Sequence, residues 1–209
     1  MKELVDSFVS STTSFLIGYG PIAGVLLIIA ESIIPMLPLS VFITLNIVSY
    51  GDVFGLIISW LSTVVGCMLS FLIFRFFLQK KWYRFIKRKD SETLKTLTKK
   101  ISSAKFSSLV TLIALPFSPA FLINIASGIS HMKIEKFFLA LLIGKIVMVY
   151  FWGYIGTSLL ESLTDITIMI KIFLLLTITF IISRKIEKKW KVRSVSYTHL
   201  RAHETSAHL

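Results

Sequence analysis

Two residues in this sequence carry charge where charge is costly. Glu31 lies near the end of an apolar run, four residues ahead of Pro35, and Lys145 lies eleven residues after Ile134, inside another apolar run. At 1.5 Å of rise per helical residue, Lys145 falls close to mid-bilayer if its run crosses a membrane. An ionisable side chain at that depth costs a few kcal/mol, which makes each a functional candidate. Glu31 can exchange protons with a substrate or a gradient, or satisfy backbone donors freed by a helix break. Lys145 can pair with Glu31 or act as a point charge for a lipid phosphate. Arg75 is placed differently, five residues before Lys80 in a basic block, where its guanidinium can snorkel to headgroups. Asn124 can bond exposed backbone or touch a headgroup.

The segments that must position these groups are interrupted. Apolar runs cover residues 15–34, 37–50, 53–78, 106–129 and 134–160, with a shorter run at 166–183. A spanning helix needs roughly 20 apolar residues, so 37–50 is too short to cross alone. Pro35 and Pro38 separate it from its predecessor and remove two backbone donors. Pro116 and Pro119 cut the run at 106–129 in the same way.

Composition makes this an all-α integral membrane protein. Of 209 residues 55% are hydrophobic and 16% charged, against about 25% charged in a soluble domain. The net charge of +12 is concentrated: ten of the 23 Lys and Arg lie at 80–105 and six more at 184–193. Both blocks abut long apolar runs, so they are expected to meet anionic lipid headgroups at the cytoplasmic face rather than nucleic acid. Cys67 is the single cysteine and sits in an apolar run, which leaves disulfide and thiolate-metal chemistry without support. No GxSxG, Walker, HExxH or paired-carboxylate pattern is present, so no catalytic residue, metal or cofactor is expected and the chain reads as a non-enzyme. The start of the chain does not have the form of a cleaved signal, Lys2 being set against Glu3 and Asp6. Residues 194–209 resemble a translated sequencing adapter and are set aside with three of the four histidines; His131 is read as incidental.

Crossing number follows from the basic blocks. If both face the cytoplasm, the chain between Lys105 and Arg184 crosses an even number of times, yet three apolar runs lie there. One run must enter and leave on the same side, and the proline-split run at 106–129 is the candidate for a re-entrant hairpin. The pattern occurs twice. Pro35 and Pro38 precede Gly51, Phe54 and a helix with Gly66; Pro116 and Pro119 precede Gly128, Phe137 and a helix with Gly144. The first copy's helix ends at the basic block and the second copy's begins there, so the copies have opposite orientation. The expected architecture is an inverted repeat of two re-entrant helical hairpins, each followed by a transmembrane helix, plus a C-terminal transmembrane helix. Paired broken segments of this kind point to a substrate site near the midplane. The membrane domain covers 14–183 after an N-terminal segment at 1–13. Within it, 79–105 is a basic connector with helical spacing at Leu94, Leu97, Ile101 and Ala104, and 184–193 is a basic tail.

The order Glu31, Pro35, Pro38, Gly55, Gly66, Phe71, Arg75, then Pro116, Pro119, Asn124, Gly128, Phe137, Gly144 and Gly156 resembles the VTT-domain family, also called the SNARE-associated Golgi protein or DedA superfamily, and most closely a bacterial branch of it. The resemblance covers about residues 20–156. It implies two inverted re-entrant hairpins and a role in moving lipids across bilayers, with phospholipids and polyprenyl phosphates as the substrate classes of relatives. Many members carry an arginine three residues before the second hairpin's first proline; here that position is Ile113. The resulting expectation is a multi-pass protein of the bacterial inner membrane with a cytoplasmic C-terminus, acting as a lipid translocase or scramblase. Glu31, Pro35, Pro38, Arg75, Pro116, Pro119, Asn124, Gly128 and Lys145 are its candidate substrate or coupling residues. A proton- or cation-coupled carrier for a small solute and a non-transporting membrane scaffold are the alternatives.

Overall fold

In a computed structural model of the chain, which describes residues 2–34, 38–78, 98–130, 132–161 and 165–205, the described residues contain helices and no strand. The helices are α1 (Lys2–Tyr19), α2 (Pro21–Ile33), α3 (Leu39–Tyr50), α4 (Asp52–Leu72), α5 (Phe106–Ala114), α6 (Ala120–Ile129), α7 (Ile134–Glu161) and α8 (Ile166–Thr205). A π-helical turn, Ile73–Leu78, continues α4. Most of the basic connector, at 79–97, lies outside the described residues, as do Pro35 and His131. The end of the connector is helical at 98–102, with Ile101 and Ala104 buried.

Length sorts the helices into two kinds. Three stretches are long and apolar enough to cross a membrane: Asp52–Phe77, Ile134–Leu160 and Ile166–Ile186. By contrast α2, α3, α5 and α6 have 13, 12, 9 and 10 residues, which at 1.5 Å each are well short of a hydrocarbon core of about 30 Å. Their boundaries follow from local chemistry. Pro21 sits in the first turn of α2, where its missing N–H costs nothing, and Gly20 before it takes a φ of 71°, so α1 and α2 meet at 109°. Gly51, at φ 82°, donates to the Ile47 carbonyl at 2.8 Å and closes α3. The second break is a tight turn, in which the Ser118 N–H donates to the Leu115 carbonyl at 3.2 Å and Pro119 then starts α6.

The short helices pack in a crossed arrangement. α2 lies along α4 and α5 lies along α7, while α3 reaches both α4 and α7 and α6 rests on α4 and its π-turn. One apolar core joins Ile28, Ile43, Ile47 and Val149; a larger one gathers Val64, Phe71, Leu109, Leu112, Ile113, Phe137 and Leu141. Trp60 packs against both cores and donates its indole N–H to the Leu142 carbonyl at 3.0 Å. α8 is only lightly packed, 11% of its apolar window being buried. Its Phe180 ring meets Phe117 at 5.6 Å, the residue between the two residues that lead into Pro119.

Close approach inside the first unit depends on Asn46. Its amide is fully buried and donates to Ser59 Oγ at 3.1 Å, and α2 and α4 come against it at glycines. A methyl group on Gly24 would overlap the Asn46 side chain, and one on Gly55 would lie 2.5 Å from the Asn46 carbonyl oxygen and 2.6 Å from Ile47 Cα. Backbone atoms cannot swing away as a side chain can. Gly55→Ala is therefore expected to destabilise the fold by about 1–3 kcal/mol, read as a lower melting temperature in detergent and a smaller monodisperse fraction. An unchanged melt would show that the α3–α4 contact is loose.

Candidate functional site

The two breaks meet at one cavity of roughly 500 Å³. α2 contributes Glu31 and Ser32, the first break Pro38 with Leu39 and Ser40 beyond it, and α4 Cys67. The second break gives Pro116, Ser118 and Pro119, α6 gives Phe121 and Asn124, and α7 gives Lys145, Met148 and Trp152. Broken helices explain why polar groups collect here. Each break leaves backbone groups that no longer pair within a helix, so hydrocarbon is a poor filling for the space between them.

Lys145 dominates the electrostatics. Its side chain is 1% exposed, and its ammonium donates to the thioether of Met148 at 3.2 Å, a weak acceptor one helical turn away. Among the described residues it makes no direct ion pair with Glu31, although the two carboxylate and ammonium groups line the same cavity and are its only charged side chains. Two further donors are unused: Asn124 Nδ2 and Ser118 Oγ are buried without a hydrogen-bond partner. A buried polar atom without a partner costs about 1–3 kcal/mol, so three orphaned or weakly paired donors around one space form a site prepared for an acceptor. An oxyanion supplies acceptors of the strongest kind.

Of the residues singled out in the sequence, Glu31, Pro38, Pro116, Pro119, Asn124 and Lys145 come together here. Two do not. Arg75 lies on the π-turn, donates to the Met132 carbonyl at 2.7 Å and stacks over Phe71 at 5.7 Å, so it fastens the segment that follows α6. Gly128 lets α6 rest on that turn, since a Cβ there would lie 2.7 Å from the Phe71 carbonyl oxygen. Arg75→Ala would leave the carbonyl of buried Met132 without its donor, at a cost of about 1–3 kcal/mol. Faster tryptic cleavage after the exposed Lys133 is the expected result; a cleavage rate equal to wild type would remove the fastening role.

Several lining residues escape a sequence reading. Met148 and Trp152 do carry a signal, being three and seven residues after Lys145 and so on the same helical face. Ser118, placed between two prolines, reads as turn chemistry, and Cys67 reads as packing. Ile113 is also informative: it is buried against Gly144 and shares a narrow gap beside the main cavity with Ser118, Asn124, Leu141 and Lys145.

Comparison with known proteins identifies a family for the chain. The family model described as VTT domain matches residues 37–158. The chain is 32% identical over 181 residues to a Bacillus subtilis strain 168 protein described as uncharacterized membrane protein YhjE, covering 87% of this chain and 86% of that one. It is 26% identical over 123 residues to another protein of that organism, described as uncharacterized protein YqeD, covering 59% and 58%. No solved structure matches.

Proposed function

This chain belongs to the VTT domain family of membrane proteins, and from that premise we propose that it is a lipid translocase of the bacterial inner membrane. The headgroup of a phospholipid or polyprenyl phosphate passes through the cavity between the two breaks while its acyl chains stay in the bilayer. The observation that carries this reading is the buried Lys145 ammonium, whose one hydrogen bond among the described residues is to the Met148 thioether, beside the unused donors of Asn124 and Ser118. Hydrocarbon disfavours a bare phosphate by many kcal/mol, so a translocator must supply donors at depth.

In this reading α2 with α3 and α5 with α6 are re-entrant pairs that dip from opposite faces, and α4, α7 and α8 cross. The basic blocks at 80–105 and 184–193 then lie in the cytoplasm, with the C-terminus, and attract anionic headgroups. The loop around Asp165 and the turn at Gly51 face outward. Lipid reaches the cavity sideways past α8, which touches the second break through Phe180 and Phe117.

The test is direct. Purified full-length protein in vesicles carrying a trace of acyl-labelled phospholipid or polyprenyl phosphate should expose inner-leaflet label to a membrane-impermeant quencher faster than empty vesicles do. Rates indistinguishable from empty vesicles for every lipid tried overturn the proposal.

A further inference from the structure

The cavity holds one carboxylate and one ammonium that do not touch each other. We propose that it selects a zwitterionic headgroup, a phosphate ester bearing a primary ammonium, over a headgroup of net negative charge. The inference deepens the lipid-translocase reading and rests on it.

Charge complementarity between the cavity walls and a headgroup sets the preference. Had the site evolved for an anion alone, Lys145 and neutral donors would suffice, and a carboxylate on the opposing wall would repel the ligand. Had Glu31 served only to neutralise Lys145, direct contact would be expected, since Coulomb attraction grows as 1/r and is strongest at the shortest separation; held apart, the two still attract across the cavity but each keeps a face open to a ligand. Instead Glu31 comes from α2 and Lys145 from α7, both line one cavity, and neither has the other as a hydrogen-bonded partner among the described residues. Next to Lys145 stand the unused Asn124 Nδ2 and Ser118 Oγ, which complete a phosphate-facing wall. Around Glu31 the lining groups Ser32 and Ser40 are hydroxyls, and among the described lining residues Lys145 is the sole cation.

A dipolar head satisfies both walls at once. Its phosphate oxygens accept from Lys145, Asn124 and Ser118, and its ammonium donates to Glu31. A phosphoglycerol head fills the first wall and leaves the carboxylate facing a net negative ligand. A phosphocholine head has the right charges but no N–H to donate, so it falls between the two. Roughly 500 Å³ accommodates a headgroup without its acyl chains.

The experiment compares three acyl-labelled lipids, with phosphoethanolamine, phosphocholine and phosphoglycerol heads, in vesicles of fixed neutral composition containing the full chain. Phosphoethanolamine lipid should flip about tenfold faster than phosphoglycerol lipid, the factor that one charge-assisted hydrogen bond gives. In Glu31→Gln, which keeps the shape of the side chain and removes its charge, the ratio of the two rates should fall to near one. Wild-type rates that are equal for the two heads, or faster for phosphoglycerol, overturn the zwitterion inference and leave lipid translocation standing. A ratio that persists in Glu31→Gln, with the variant eluting as folded protein, removes Glu31 as the selecting group and overturns it too. Absence of flipping for all three lipids instead strikes the translocase reading beneath it.

Discussion

Lys145→Met is expected to slow lipid translocation by about a hundredfold and at the same time to raise the melting temperature of the protein by a few degrees. Both effects come from the same ammonium. Its side chain is 1% exposed and, among the described residues, bonded only to the sulfur of Met148, so the folded protein bears a desolvation cost that no carboxylate of those residues offsets by direct contact. Methionine has nearly the volume and flexibility of lysine without the charge, and it would pack against Met148, Trp152 and Leu141. Replacing a poorly compensated buried ion by an apolar side chain of similar size is stabilising by about 1–2 kcal/mol, which for a chain of this length is a rise of a few degrees. On the proposed function, however, a phosphate headgroup in the cavity would lose the cation that lines it. A stabilised, inactive variant is the signature of a group kept for function at the expense of stability. A variant that is inactive because it is unstable would show instead that Lys145 is structural, and full activity would remove it from the pathway. The readouts are the vesicle flip assay and a melt in the same detergent.

How far this arrangement was visible in the sequence depends on which physical signal carried it. The two broken segments were legible because proline removes a donor wherever it falls: Pro116 and Pro119 end α5 and start α6 with only five residues between the helices. The long helices were legible from length and apolarity. Lys145 was legible because an isolated charge in an apolar run has few explanations, and the same holds for Glu31. What the sequence could not supply was which polar groups remain unpaired, because that depends on the path of every neighbouring helix. Asn46 and Asn124 illustrate the difference. Both are buried and each follows a proline pair, by eight and five residues, yet the Asn46 Nδ2 donates to Ser59 in the packing of α2, α3 and α4, while the Asn124 Nδ2 is unpartnered at the cavity. Arg75 and Gly128 show the reverse case. Their types suggested the pathway, but the π-turn carries Arg75 away to the Met132 carbonyl, and Gly128 serves helix contact. A π-turn adds one residue to a helical turn and rotates every later side chain, and it has no reliable sequence mark.

The cation should be movable across the narrow gap next to the site. Ile113 lies at the end of α5 and Lys145 on α7, and both line that gap together with Ser118 and Asn124. An arginine at 113 would follow the stem of the isoleucine past Gly144 and bring its guanidinium to the same pair of unused donors. In the single variant Ile113→Arg two cations then share a space too small for both, and the expected result is lower stability and slower flipping. In the double variant Ile113→Arg with Lys145→Met one cation remains, supplied from the hairpin side. Translocation should return to within about tenfold of wild type, recovering most of the hundredfold loss, because arginine offers a bidentate contact to phosphate where lysine offers a point charge. Rescue is the informative outcome, since it separates a requirement for positive charge at this depth from a requirement for lysine on α7. A double variant that folds, melts normally and still fails to flip lipid would mean that the ammonium must approach from α7, with the second hairpin free to move relative to it.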